Sequence, residues 1–392
     1  EDSMKIERVE IIVTELGNRI QRQLSSGSYD TGAPGSRLGK PVLVRIYADG
    51  VVGVGQVRPI SPGHFLPETT SSVVSAVRDI YGPLLIGRSI FDREAIWSSF
   101  DRRLPGNSNA RAAIDYALYD AAGKALGLPA YDLLGGLCQP EIPLEWSISM
   151  ADTGRMIEDA LCARDDYGIT VLCMKAGGPG GWAQDVENFA ALRDAVGESV
   201  TIGVDPNTGW TVTDTLRALR ALEPMDLGYL EQPIERHDLV GLARIRRAAG
   251  GVPLMADESL FSLHDAFALA KVDAVDVLCI KLYKTAGLAQ AKRITAVAEA
   301  SNMRVNVGGL AVQSQLEAAA GAHFYASTPA ERVMPAAEFI FGLGVGGRDP
   351  LVGESDFTIS QGKVKVPTGP GLGVVLDEDA VRAKALSREV VS

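Results

Sequence analysis

Five reactive side chains punctuate the C-terminal two-thirds of this chain: Lys175, Asp205, Glu231, Asp257 and Lys281. Each closes a short apolar or β-branched run, and the steps between them are 24 to 30 residues. Three carboxylates meeting at one point repel one another strongly. A hard divalent cation relieves that repulsion. Oxygen ligands without Cys or His select Mg²⁺, with Mn²⁺ as the alternative. Two lysines flanking the ion suggest an acid and a base on opposite faces of one substrate. A free lysine, with a pKa of about 10.4, is a poor base at neutral pH. A nearby cation and partial burial are expected to lower it. A small carboxylate gripped by the ion has a removable α-proton, because the ion stabilises the resulting enediolate. Taken singly, an Asp or Asn at such a position is as readily a helix N-cap, and a lysine there a solvated charge.

The runs that must position these residues are 170–175, 200–205, 227–231, 252–257 and 275–281, with 144–149 and 304–307 extending the series. They alternate with amphipathic stretches at 183–196, 213–223, 239–249, 263–271 and 285–300. Alternating strand and helix predicts a parallel sheet with crossover helices. At least seven such units in about 200 residues predict closure into a barrel, whose active site lies at the C-terminal ends of the strands. Side chains two apart share a strand face, which groups Cys173 with Lys175, Asp205 with Asn207, and Cys279 with Lys281. Asp257 and Glu258 are adjacent, so only one faces inward on a regular strand, and register favours Asp257.

Residues 4–132 read as an α+β unit, with strands at 5–15 and 41–47 and helices at 68–81, 90–104 and 109–126. A long polar loop at 16–40 has the character of a lid, a binding loop or a mobile segment; a second loop, 56–67, carries His64. Beyond residue 345 the alternation is lost. The expected organisation is a cap domain at 1–132, a barrel at 133–345, and a tail at 346–392 that packs back on the cap.

Composition narrows the field. The 392 residues are 46% hydrophobic and 22% charged, as in ordinary globular proteins. The formal net charge is −11 and no basic patch is visible, so a nucleic-acid partner is not expected. No apolar run reaches the ~18 residues that cross a bilayer, so neither is a membrane. The N-terminus lacks a basic stretch followed by an apolar one, which argues against a secretory signal. The four cysteines, Cys138, Cys162, Cys173 and Cys279, form no CxxC pair. A zinc or disulfide framework is therefore not expected, and a cytoplasmic location is. A homo-oligomer is the default for a soluble enzyme.

Several motifs recur in a telling order: Ala110-Arg111-Ala112-Ala113-Ile114-Asp115-Tyr116-Ala117-Leu118-Tyr119-Asp120, Gly123-Lys124, Leu133-Leu134-Gly135-Gly136, Gly203-Val204-Asp205-Pro206-Asn207, Leu230-Glu231-Gln232-Pro233, Met255-Ala256-Asp257-Glu258-Ser259 and Ile280-Lys281. Together they resemble the enolase superfamily, in particular its muconate lactonizing enzyme subgroup, over nearly the whole chain. The resemblance implies an α/β fold, a (β/α)7β barrel under an α+β cap whose loops set substrate choice. It implies Asp205, Glu231 and Asp257 as Mg²⁺ ligands and Lys175 and Lys281 as the acid/base pair. There are two departures. The subgroup's usual Lys-x-Lys is here Cys173-Met174-Lys175, which weighs against muconate cycloisomerisation. The eighth strand carries Glu338 where dipeptide epimerases show Asp-x-Asp, which weighs against that activity; Glu338 is instead a candidate to meet a cationic substrate amine.

Overall, the sequence is most similar to the cis-3-hydroxy-L-proline dehydratases. That resemblance implies a small carboxylate substrate, a cyclic amino acid, losing water to give Δ1-pyrroline-2-carboxylate. Epimerisation or racemisation of proline-like amino acids or betaines is the alternative, and fold alone does not exclude a barrel that merely binds a ligand. Among lesser candidates, Asn207, Cys173 and Tyr283 are placed to edge the pocket and His64 to touch substrate from the cap. Trp146 is a candidate for the barrel floor. His237, His264 and His323 read as structural.

Overall fold

The computed structural model describes residues 4–15, 17–19, 21–25, 27–30, 39–59, 66–309 and 313–392; His64 lies outside them. Eight parallel strands make the barrel: Glu145–Ile148, Val171–Lys175, Thr201–Asp205, Leu227–Glu231, Leu254–Ala256, Val277–Ile280, Arg304–Val307 and Val333–Ala337. They are hydrogen-bonded in chain order, and a parallel bridge between Leu144 and Ala337 brings the last strand to the first. The strands are short and largely buried on both faces, as a sheet covered by helices requires. A helix follows each of the first seven: Thr153–Asp165, Gly181–Val196, Val212–Leu222, Leu239–Ala248, Leu263–Lys271, Leu288–Ala300 and Gln315–Ala326.

Five of these helices are capped by loop side chains that accept a backbone N–H: Asp152, Thr211, Asp238, Ser262 and Ser314. The capping alternative for the strand-end acids therefore fails. Helix starts are served by residues further along the loops, and Asp205, Glu231 and Asp257 point elsewhere.

The cap is a four-stranded antiparallel sheet in the order Ala385–Val391, Ile6–Thr14, Val42–Ala48, Val51–Val57. The helix Ser108–Leu126 lies directly on it. Gly53 and Gly55 make this approach feasible, since a Cβ there would stand 2.0 Å from the Ala117 carbonyl oxygen and 2.1 Å from that of Ala113. The same helix joins cap to barrel. Its buried Asp115 accepts the N–H groups of Leu288 (2.5 Å) and Ala289 (3.3 Å) at the start of a barrel helix. Asp120, one helical turn further, accepts from Val54 and from Leu372 of the tail, both at 2.8 Å.

Several expectations are corrected. Strand Val51–Val57 replaces the start of the supposed loop at 56–67; it pairs with Val42–Ala48 through a tight Asp49-Gly50 turn in which both residues have positive φ. The stretch 16–40 contains a hairpin, Gln21–Leu24 with Gly27–Asp30. Lys363–Lys365 pairs with Glu141–Pro143 beside the barrel's first strand. Trp146 faces the helices: its Nε1 donates to Asp159 at 3.0 Å and its ring lies against Tyr167.

Gly55→Ala is expected to push the helix off the sheet and cost about 1–3 kcal/mol. Urea unfolding followed by circular dichroism would show a lower midpoint, and an unchanged midpoint would contradict the close approach.

Candidate active site

Parallel register places Lys175 beside Asp205, and Lys175 Nζ donates to Asp205 Oδ2 at 2.5 Å. On the other side of the mouth, Lys281 Nζ donates to Asp257 Oδ2 at 2.7 Å. The two lysines end the second strand and follow the sixth, so they stand on opposite sides of an eight-stranded ring. Glu231 comes from the fourth strand, between them. The five side chains are 0–6% exposed. Their donor atoms form two overlapping groups: Cys173, Asp205 and Glu231 lie within 4.8 Å of one another, and so do Glu231, Asp257 and Cys279. Glu231 belongs to both, while each outer carboxylate leans on its own lysine.

Three further residues, which strand periodicity did not single out, complete the constellation. Lys284 is fully buried, and its Nζ donates to Asp257 Oδ1 and to the Asp257 carbonyl, both at 2.5 Å. Gln232 is also fully buried. Its Oε1 accepts the N–H groups of Asp257 (3.0 Å) and Ser259 (3.1 Å), and its Nε2 reaches Ser259 Oγ, which fixes the fifth strand's end against the fourth's. Arg22 comes from the cap hairpin. Its guanidinium donates to Ser149 Oγ, to the Ser147 carbonyl and to Ser147 Oγ at 2.9–3.0 Å. The cap thus sets a cation over the first strand's C-terminal end.

Glu258 requires a correction. The fifth strand stops at Ala256, so strict alternation no longer applies to Asp257 and Glu258. Both are buried. Glu258 Oε1 accepts from Asn207 Nδ2 at 3.2 Å, and Asn207 also donates to both oxygens of Asp205. Asn207 adopts a left-handed backbone (φ +44°), which turns the chain so that it folds back on Asp205.

Of the remaining expected residues, Glu338 directly follows the eighth strand and is half-buried. Its charge acts on Lys175 and on Glu145. Tyr283 is buried, and its hydroxyl has no hydrogen-bond partner among the described residues. A cavity of about 620 Å³ opens at the opposite, N-terminal ends of the strands, against Val171, Thr201, Val277 and Arg304, away from all of these groups.

The electrostatics follow from burial and pairing. Burial alone would lower both lysines, but Asp205 outweighs it at Lys175 and Asp257 does so at Lys281, so both are pushed well above the usual lysine value. The lowering expected from sequence does not arise from these contacts, because each ammonium sits on a carboxylate. Burial drives Glu231 well above the carboxylate range, and the charges of Asp205 and Asp257 add to the effect. For Asp257 burial acts in the same direction, but Lys281 and Lys284 overcome it and hold the group low. Burial beside Asp257 and Asp205 pushes Glu258 up to about 8.

Known proteins share this architecture. Residues 155–380 match the family described as enolase C-terminal domain-like, and residues 35–135 match the mandelate racemase / muconate lactonizing enzyme N-terminal domain. A chloromuconate cycloisomerase of Pseudomonas sp. (strain P51) is 33% identical over 97% of this chain and 98% of its own length. This chain belongs to the enolase superfamily, in the muconate lactonizing enzyme and mandelate racemase group. The crystal structure of an N-succinyl Arg/Lys racemase from Bacillus cereus ATCC 14579 superposes on this enolase-superfamily chain with a TM-score of 0.88, at 29% identity, covering 99% of this chain and 100% of the other. A dipeptide epimerase from Cytophaga hutchinsonii, complexed with Mg and a dipeptide, gives 0.85 at 29% identity, covering 99% and 100%. Superfamily members catalyse reactions that abstract an α-proton, and they use Mg²⁺. The residues here fit that ion. Glu231 has no ammonium bonded to it, and Asn207 Oδ1 and Glu258 Oε2 are buried acceptors with no hydrogen-bond donor among the described residues. Oxygen donors at this density suit a hard cation.

Gln232→Leu would orphan two buried N–H groups at about 1–3 kcal/mol each. Its denaturation midpoint should fall clearly below that of the parent protein; an equal midpoint would show that Gln232 does not hold Asp257 in place.

Proposed function

We propose that this protein is an Mg²⁺-dependent enzyme that removes the α-proton of a small carboxylate, and that its reaction is the dehydration of cis-3-hydroxy-L-proline to Δ1-pyrroline-2-carboxylate. The observation that carries the proposal is the opposed placement of Lys175 and Lys281 on either side of buried carboxylates. In cis-3-hydroxy-L-proline the hydroxyl and the carboxylate share one ring face, so the α-proton lies on the face opposite the hydroxyl. Loss of water is then an anti elimination, which needs a base on one face and an acid on the other.

Asp205, Glu231 and Asp257 would hold Mg²⁺, which when bound supplies counter-charge to the substrate carboxylate and to the enediolate derived from it. Asp205 now holds Lys175 as an ammonium; with that carboxylate engaged as a metal ligand, Lys175, released to its neutral form, takes the α-proton. Lys281, as an ammonium, gives its proton to the departing hydroxyl. The enamine so formed tautomerises to the cyclic imine. Lys284 keeps a positive charge on Asp257 while Lys281 turns to the substrate. Glu338, whose charge reaches Lys175, is suited to the ring ammonium of an imino acid. Arg22 is suited to orienting the substrate from the cap.

A second reading, epimerisation or racemisation, is favoured by the same lysine pair and by the similarity to a racemase. One lysine would remove the α-proton and the other would return one to the opposite face. Mass spectrometry after incubation of proline and hydroxyproline isomers with Mg²⁺ in deuterated water separates the two: dehydration loses a water, whereas epimerisation gains only deuterium. Turnover of no cyclic amino acid would remove the substrate assignment and leave the superfamily membership intact.

Two variants probe the division of labour. Lys175→Ala and Lys281→Ala should each reduce dehydration by about 10²–10⁴-fold. α-Deuterium exchange should survive in Lys281→Ala and vanish in Lys175→Ala; the reverse pattern exchanges the two roles. Glu231→Gln should abolish Mn²⁺ binding followed by electron paramagnetic resonance, and undiminished binding would contradict its place as a ligand.

A further inference from the structure

Cys173 and Cys279 precede Lys175 and Lys281 by two residues, so a thiol lies below each ammonium on the inner face of its strand. Both are 1% exposed. Such symmetry invites the question of what the thiols can bind. Cys173 Sγ lies 3.8 Å from Glu231 Oε2 and is the only hydrogen-bond donor to that carboxylate among the described residues. Glu231 is itself 4% exposed, so a nearly buried carboxylate faces the sulfur without a cationic group bonded to it. The sulfur and one oxygen each from Asp205 and Glu231 all lie within 4.8 Å of one another. A tetrahedral cation with bonds of about 2.3 Å to sulfur and about 2.0 Å to oxygen holds those atoms roughly 3.5 Å apart. The observed 3.8 Å is within a few tenths of an ångström of that figure. The companion set around Cys279 is less apt. Its Asp257 is held by two buried ammonium groups, where Asp205 is held by one, with Asn207 as its other partner, and its sulfur already receives Asn306 Nδ2 at 3.9 Å.

We infer that Cys173, Asp205 and Glu231 form a mixed sulfur–oxygen site for a thiophilic divalent cation of the Zn²⁺ class. The site overlaps the place assigned to Mg²⁺ and shares Asp205 and Glu231 with it, so to that extent it rests on the functional reading above. On binding, the S–H bond breaks as the sulfur–metal bond forms, and the proton leaves to solvent. Thiolate ligation favours the softer ion, which Mg²⁺ does not match. A cation drawn toward Cys173 sits one step down the strand from the lysines, displaced from the substrate, and competes with Mg²⁺ as an inhibitor.

The test uses the full chain with Cys138 and Cys162 changed to Ser and Cd²⁺ as the probe, reading the sulfur-to-cadmium charge-transfer absorbance. The expected result is a band that saturates at one equivalent, is suppressed by excess Mg²⁺ and persists in Cys279→Ser. In Cys173→Ser and Cys173→Ala the band is lost and Cd²⁺ binds at least about tenfold more weakly. Absence of the band, its survival in either Cys173 variant, or its indifference to Mg²⁺ overturns the inference. Mn²⁺ binding by the same variants, read by paramagnetic resonance, keeps the two proposals apart. Retained Mn²⁺ with a lost band supports the thiol site, whereas lost Mn²⁺ with a surviving band counts against both the thiol assignment and the oxygen site.

Discussion

Moving a carboxylate or an ammonium group out of water costs several kcal/mol even after relaxation, and only tight pairing offsets it. This barrel buries Asp205, Glu231, Asp257 and Glu258 together with Lys175, Lys281 and Lys284 at one end. Much else in the structure serves to hold that unstable concentration of charge in place. Asp205 is gripped by Lys175 and by both nitrogens of Asn207. Asp257 is gripped by two lysines. Glu231, between them, has no ammonium bonded to it among the described residues, although the charges of Lys175 and Lys281 reach it.

Positioning is divided among elements that do no chemistry. Parallel pairing delivers one reactive residue from each successive strand end. Gln232 fastens the ends of the fourth and fifth strands through backbone N–H groups, so Asp257 keeps its orientation beyond the last ladder hydrogen bond. The cap contributes at a distance: Asp115 fixes one of its helices to a barrel helix, and the hairpin carrying Arg22 reaches the first barrel strand. The proposed reaction on the two faces of one small ring needs such rigidity, because its acid and base would act from opposite walls.

Much of this was legible in the sequence. Regular spacing of apolar runs with polar ends predicted the barrel and brought Lys175, Asp205, Glu231, Asp257 and Lys281 to one rim, since strand period and unit length are local properties. What escaped depends on the ends of strands, where period two lapses. Glu258 was set aside because alternation was extended two residues beyond Ala256. Lys284 lies in the turn after the sixth strand and is oriented by tertiary contact alone. Arg22 sits in a stretch whose Gly and Ser content reads as loop, and only long-range pairing brings it to the mouth. Strand Val51–Val57 was readable, since Asp49-Gly50 is the turn signal for a two-residue hairpin. The lysines' raised pKa values could not be foreseen, because they depend on which oxygen each ammonium touches.

The proposed chemistry requires a single cation held by Asp205, Glu231 and Asp257 with an ammonium on each side. An anomalous difference map from crystals soaked in Mn²⁺ tests this most directly. One peak bounded by the three carboxylates, with the Lys175 and Lys281 ammonium groups on opposite sides of it, is the predicted result. A peak elsewhere, no peak, or both lysines on one side would contradict it.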